Sequence, residues 1–490
     1  MSEGADDVDV LIIGAGISGI GGAAHLRMRC PDTSFAILEA KESFGGTWLT
    51  HRFPGIRSDS DLYTYGYGFK PWMGPAIATA DEIRAYMAEV IAEYRLEPQT
   101  RYRHKVTAAS WSSETARWTV EATRLDDGAA VRFRARLLWM CQGYYRHEKG
   151  FAPHFEGQES FKGPVVHPQT WPEGLDCSGK RVTVIGSGAT AATLIPALAE
   201  AGAKVTMLQR SPSYYITELG AAALAKVLEP LDLDPAVKHD ILRRKSLYDS
   251  ALFTSRTFSE PEQVKKELLG LVRAYLGPDY DVDHHFTPHY RPWQQRICRI
   301  PDGDLFNAIR GGRVTVVTDE IDRFTEAGIR LKSGQEIASD VIVTATGLNL
   351  TILGDMKVTV DGQPFDPAQK ITYRGMMFEG VPNLVWVFGY FRASWTLRAD
   401  LVAQFVCRLI PHMRERQAAH VTPRLRPEDE GLPTLPWIDA ENFNPSYLGR
   451  DLGLLPKRLA RPEWEHTHDY AIEKVRFPGI DLDEAALTYG

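Results

Sequence analysis

The chain has 490 residues, 44% hydrophobic and 24% charged, the composition of an ordinary soluble globular protein with room for roughly two to four domains. Lysine plus arginine at 56 against aspartate plus glutamate at 63 leaves a net charge of −7, which gives a nucleic-acid partner no electrostatic footing. No apolar run reaches the length of a membrane span, and the acidic opening MSEGADDVDV lacks the basic and apolar regions of a signal peptide.

The first predicted element is a short apolar run at residues 8–13, VDVLII, as expected of a strand buried on both faces of a parallel sheet. It feeds Gly14-Ala-Gly16-Ile-Ser18-Gly19 and a helix through Met28. In this pattern the first glycine makes the tight turn, the second lets a pyrophosphate approach the backbone, and the third lets helix and strand pack closely. A second strand at residues 34–38 ends in Glu39, whose carboxylate can accept hydrogen bonds from ribose hydroxyls. A bound dinucleotide is expected here. Phe44-Gly-Gly-Thr47-Trp48 then adds a glycine pair and an indole that a nicotinamide domain does not require, Arg52-Phe53-Pro54-Gly55 supplies a turn, and Arg57 and Asp59 follow. Asp59, in the run SDSD, also reads as a plain turn carboxylate. An amphipathic helix is expected over 82–95, then antiparallel strands at 106–111, 118–122 and 131–140, with a turn at 126–128. Cys141 reads as a small core residue. The five cysteines, at 30, 141, 177, 298 and 407, are scattered, with no CxxC and no metal spacing, which suits a reducing cytoplasm.

Residues 161–172, FKGPVVHPQTWP, carry prolines at 164, 168 and 172, too many for a helix, so an extended connector is expected. A second strand-turn-helix follows: RVTVI at 181–185, then Gly186-Ser187-Gly188-Ala-Thr190-Ala191, with alanine in the third glycine's place. The next strand, 204–208, ends in Gln209-Arg210-Ser211 where the first repeat ended in Glu39. An arginine there pairs with a 2′-phosphate, which favours NADPH over NADH; a solvated surface arginine is the plainer reading. From 220 to about 275 the pattern is helical, with Val264, Leu268, Leu269, Val272 and Leu276 on one face. Asp283, His284, His285 and His289 match no ligand spacing, so no metal is expected. PWQQRICRIPDGD at 292–304 and the small-residue strand DVIVTATG at 340–347 come next, then FGYFRASW at 388–395; beyond Arg414 the chain reads as an irregular wrapping tail.

Two of these stretches resemble the fingerprints of type I Baeyer–Villiger monooxygenases: GTWLTHRFPGIRSD at 46–59, and the connector with Phe161, Gly163, His167 and Trp171 at its fixed positions. FPGIRSDSDLYT, GSGATAATL, LQRSPSY and ASWTLRADL are most similar to the ethionamide monooxygenase subgroup. The resemblance runs over nearly the full length. It implies an α/β fold with two Rossmann-like dinucleotide-binding domains, for FAD (1–145 and 340–490) and NADPH (146–220 and 295–339), and a helical insertion at 221–294 lining the substrate side. It further implies that Thr47, Trp48, Asp59 and Tyr65 border the flavin, that backbone near Val106 meets the adenine, and that Arg296, held by Asp59, enters the pocket. Arg299 is the alternative three residues away. Gln295 stands where many members carry a phosphate-binding lysine, which weakens the expected NADPH preference. The activity implied is NADPH- and O2-dependent conversion of ketones to esters or lactones through a C4a-peroxyflavin, with sulfoxidation beside it.

The nearest rival is a flavin-containing N- or S-monooxygenase, whose linker typically lacks Trp171-Pro172 and whose pocket lacks the arginine. A flavin disulfide reductase would need a cysteine pair that the sequence does not offer, and a non-catalytic nucleotide sensor would not need Asp59 with Arg296. No interface patch stands out, so a monomer or weak homo-oligomer is expected.

Overall fold

The computed structural model describes residues 6–217 and 220–490; most of the acidic opening, at 1–5, and residues 218–219 of the expected second domain lie outside the described residues. The chain enters through β1 (Asp6–Ile13), α1 (Ile17–Arg29) and β2 (Phe35–Leu38). Val10, Leu11, Ile12 and all of β2 are buried, which is why neither strand alternates polar with apolar. Helix α2 (Ala80–Glu93) begins with a reciprocal Thr79–Glu82 capping box. Then β3 (His104–Ser112), β4 (Arg117–Arg124) and β5 (Ala130–Met140) form an antiparallel meander. The last four residues of β5 are buried, and from Phe133 onward it runs parallel to β1, with Val10 opposite Leu137 and Ile13 opposite Met140. The meander is thus welded to the parallel strands in one nine-stranded sheet.

The second sheet is all parallel. It is built from β6 (Val165–Val166), β7 (Arg181–Ile185), β8 (Lys204–Gln209), β9 (Val314–Thr318) and β10 (Val341–Thr344), in the order β9-β8-β7-β10-β6. Helix α3 (Ala189–Glu200) follows β7. One sequence expectation changes here. The strand at 341–344, read as the return to the first domain, lies inside the second sheet between β7 and β6. The connector is extended at β6, an edge strand where neighbouring prolines cost no ladder bonds, and Pro168–Thr170 makes a single 3-10 turn.

Between the strands of this second unit the chain forms α4 (Gly220–Leu228), α5 (Pro235–Ser259) and α6 (Pro261–Leu276). The expected apolar face of α6 is buried at all five positions. Later, β11 (Leu384–Trp386) pairs with β5, and α7 (Trp395–Glu415) packs along α1. Those helices run parallel: Trp395 Nε1 donates to Ser18 Oγ at 2.8 Å, His25 Nε2 lies 3.2 Å from Asp400 Oδ1, and Cys30 Sγ donates to the Cys407 carbonyl at 3.4 Å. The tail beyond Arg414 is short of regular elements, yet it belongs to the core. Phe443, Trp437 and Trp464 are at most 1% exposed, and α8 (Tyr470–Arg476) is pinned through Glu473 to the buried Arg398.

Candidate active site

One cavity of about 1270 Å³ receives both glycine turns. The two turns close alike: Gly14 N–H donates to the Leu38 carbonyl and Gly186 N–H to the Leu208 carbonyl, both at 2.8 Å. Both have positive φ, +103° and +128°, and a β-carbon would fall 2.8 Å from the Cys141 oxygen at Gly14 and 2.4 Å from the Ala345 oxygen at Gly186. At Gly188, on the cavity wall, nothing lies within 4 Å of the β-carbon position. Gly186→Ala is therefore expected to cost about 1–3 kcal/mol and lower the thermal midpoint, whereas Gly188→Ala should leave the midpoint unchanged. Equal shifts in the two melting curves would refute this division.

Around the first turn, Gly14, Gly16, Ser18 and Glu39 line the cavity, while Gly19 packs α1 against the turn, its β-carbon position 1.9 Å from the Gly14 oxygen. The Glu39 carboxylate accepts Ala15 N–H and Lys41 N–H, each at 2.8 Å; burial raises its pKa and these amides oppose the rise. Gly46 presses onto Gly16, its β-carbon position 3.1 Å from that Cα, so the second glycine segment clasps the first turn. Thr47, Trp48, Arg57, Asp59, Tyr65 and Val106 all line the same cavity. Trp48 Nε1 donates to the Tyr65 hydroxyl at 2.9 Å, and burial raises the Tyr65 pKa. Arg57 pairs with Asp304 at 2.6 Å.

Around the second turn, Ser187, Gly188, Thr190, Arg210 and Ser211 line the cavity, and Ala191 is buried behind it. Ser187 Oγ donates to the Ser211 carbonyl at 3.2 Å, tying the turn to the segment after β8. Asp319 and Glu320 reach this rim as well, which the sequence did not reveal, because β9 pairs with β8 only through the fold.

Arg296 and Asp59, 237 positions apart, form an ion pair on the cavity wall with side chains 30% and 33% exposed. Arg299 does not line the cavity, and burial lowers its pKa. Of the connector residues, His167 Nδ1 accepts Gln169 N–H at 3.1 Å and Nε2 donates to the Gly347 carbonyl at 3.0 Å. Phe161 is buried against Phe324, a β-carbon on Gly163 would lie 2.4 Å from the Asp340 oxygen, and Trp171 packs on the second core. These four pack on residues of the second unit and line none of the main cavity. Of the described residues of the expected insertion, 221–294, Tyr290 alone lines the cavity; α5 and α6 do not. Instead Arg243, on α5, donates to the Tyr63 and Gly66 carbonyls, seating the insertion on the first domain.

The sequence reading missed Gln142 and Pro445 on this wall. Both amide atoms of Gln142 and Nη2 of Arg57 are buried without a hydrogen-bond partner among the described residues, which fits a wall that completes its bonding with a polar bound group. Tyr390, Trp395 and Pro445 arrive from the C-terminal third. Cys141 and Cys298 also face the cavity, but burial pushes both thiols up, Cys298 to about 12, unlike a reactive redox dithiol.

This fold and wall, two strand-glycine-helix turns facing one cavity whose wall also carries an arginine–aspartate pair, define an α/β protein built to hold two dinucleotides. Residues 12–89 match the NAD(P)-binding Rossmann-like domain, and residues 75–224 match the flavin-binding monooxygenase-like family. The chain belongs to the FAD-containing monooxygenases: it is 45% identical over 476 residues to EthA of Mycobacterium tuberculosis, covering 95% of this chain and 94% of that protein. It is also 40% identical over 490 residues to the probable FAD-binding monooxygenase AlmA of Acinetobacter baylyi, covering 98% and 96%. Its fold is that of an oxidised steroid monooxygenase bound to NADP, with TM-score 0.75, 23% identity and 99% of each chain covered. The OTEMO complex with FAD and NADP superimposes with TM-score 0.73 at 21% identity, covering 99% and 100%.

Proposed function

We propose that the protein is an NADPH- and O2-dependent Baeyer–Villiger monooxygenase that converts ketones to esters or lactones and oxidises sulfides as a second activity. The Arg296–Asp59 pair on the wall of the shared cavity carries the reading. Relatives named for FAD, and similar folds solved with FAD and NADP, support the two cofactors. The wall fits them: glycine turns for two pyrophosphates, a buried carboxylate at Glu39 for a ribose, and unpartnered amide atoms at Gln142. Bound FAD would take hydride from NADPH and activate O2, redox chemistry that no side chain of this protein supplies.

Arg296 keeps its charge at any working pH, so it offsets negative charge developing on an oxygen beside it without surrendering a proton. Asp59 holds that guanidinium against the wall. Trp48 and Tyr65, locked together by their hydrogen bond, give the flavin side a rigid aromatic edge. His167 is a post and not a proton carrier. Its Nδ1 already accepts the Gln169 amide, and burial lowers its pKa, so the ring is held neutral with the proton on Nε2.

Arg210 and Ser211 would take the 2′-phosphate of NADPH. Arg210→Gln is expected to raise KM for NADPH about ten- to hundredfold, the loss of a charge-assisted hydrogen bond, and to leave KM for NADH unchanged. Coenzyme kinetics with both nucleotides check this; parallel increases would remove Arg210 from the phosphate site.

The reading is tested by chromatography of products from FAD-loaded enzyme given NADPH, air, a panel of linear and cyclic ketones, and thioanisole. Esters or lactones support it. Sulfoxide alone would move the protein to the flavin-containing N- or S-monooxygenases.

A further inference from the structure

The turn that delivers Arg296 is strained and held from several sides. Trp293 has φ +61°, a conformation that bulky residues avoid, and its indole N–H is buried without a partner among the described residues. Strain of this kind persists only where the surroundings over-determine it. The indole is packed against two apolar clusters: one contains Phe388 and Phe391, and the other contains Tyr214 and Ile297. The turn is closed by Gln294 N–H donating to the Arg291 carbonyl at 2.9 Å and by Arg291 N–H donating to Gln294 Oε1 at 3.1 Å. The C-terminal segment clasps it: Asn444 N–H donates to the Gln294 carbonyl at 2.8 Å, and Gln294 Nε2 to the Glu441 carbonyl at 3.3 Å. Arg392 Nε donates to the Trp293 carbonyl at 3.4 Å while its guanidinium lies 5.0 Å from the Phe258 ring centre. Arg296 follows three residues on and meets Asp59.

We infer that Trp293 is a positioning residue for Arg296: its wedged, left-handed turn fixes where the guanidinium enters the cavity. This rests on the proposed role of Arg296. Trp293 lines none of the cavity, so it acts only through the turn. A guanidinium displaced by about an ångström loses its match to the reacting oxygen, an effect that reaches roughly 10²-fold in comparable cases.

The test compares Trp293→Gly, which accepts the backbone angle but removes the wedge, with Trp293→Phe, which keeps an aromatic wedge, each alone and combined with Arg296→Lys. Oxygenated product per NADPH consumed is expected to fall at least about tenfold in Trp293→Gly, with FAD content and the rate of flavin reduction by NADPH retained, and to be largely restored in Trp293→Phe. In the Arg296→Lys background, Trp293→Gly should add less than about twofold, because both changes act on one group. Effects that multiply in the double variant would overturn the inference. If Trp293→Gly does not fold, Arg392→Lys, which keeps the charge but loses the fork beneath the Trp293 carbonyl, takes its place with the same expected non-additivity. A crystal structure of the holoenzyme variant gives a readout independent of turnover. A displaced Arg296–Asp59 pair supports positioning, and an undisturbed pair refutes it. If the unmodified enzyme oxygenates neither ketone nor sulfide, the proposed function fails, and this crystallographic readout still decides whether Trp293 places Arg296.

Discussion

Arg296→Ala is expected to retain FAD while ester or lactone formation falls by about 10²–10³-fold or more, the scale seen when a preorganised group facing an oxyanion is removed. Cofactor retention is expected because the first turn, Glu39 and the clasping Gly46 segment stand independently of residue 296. NADPH should still be consumed, with hydrogen peroxide replacing the oxygenated product. Arg296→Lys should fall between the two, since an ammonium keeps the charge but not the planar fork that meets Asp59. Asp59→Asn should approach the alanine variant in effect, because it leaves the guanidinium without its carboxylate. Unchanged ester formation in Arg296→Ala would remove the residue from the chemistry altogether.

The largest loss of stability is expected at the other end of the chain. Glu473 and Arg398 are buried, with side chains 3% and 0% exposed, and the pair holds α8 to α7. Tyr390 OH donates to Glu473 Oε2 at 2.5 Å, Thr467 Oγ1 donates to Oε1 at 3.0 Å, and Arg398 Nη2 donates to the Arg374 carbonyl at 2.5 Å. Glu473→Gln leaves a buried guanidinium without its counter-charge, which costs about 3–5 kcal/mol. The thermal midpoint of the holoenzyme should drop sharply. Arg398→Met with Glu473→Leu should recover part of the loss, since a paired apolar replacement removes both desolvated charges. The surface pair Arg244–Asp240, with side chains 78% and 56% exposed, is the control: Arg244→Ala should barely move the midpoint. Equal shifts at the two pairs would refute this account. Because Tyr390 also faces the cavity, Glu473→Gln should loosen that wall as well.

Local chemistry explains what could be read early. Two strand-glycine-helix units were legible because the requirement for positive φ and close approach is met by glycine alone, at Gly14 and Gly186 in particular. The buried face of α6 was legible because helical periodicity repeats within one turn or two. The tail was not, because its anchors, Trp437, Trp464 and Glu473, carry no period and are buried only by contact with distant elements. The boundary near 340 was misread for a related reason: an apolar strand such as β10 suits either sheet, and only pairing with β7 and β6 assigns it. What the insertion packs against was not legible, because an amphipathic pattern says which face is buried and not what covers it.

The sequence by itself determined the fold class, both dinucleotide turns, the residues of the connector, and the exchange of Glu39 for Arg210 between the repeats, all of them encoded over short separations. The tertiary structure brings together Asp59 and Arg296, paired before it only by the family resemblance, and alone decided that Arg299 does not line the cavity and that Asp319 and Glu320 crowd the Arg210 rim. It also decided that the C-terminal segment grips the turn before Arg296. Such contacts depend on how separate elements are packed, and packing is a property of the whole chain that no local pattern of residue types specifies.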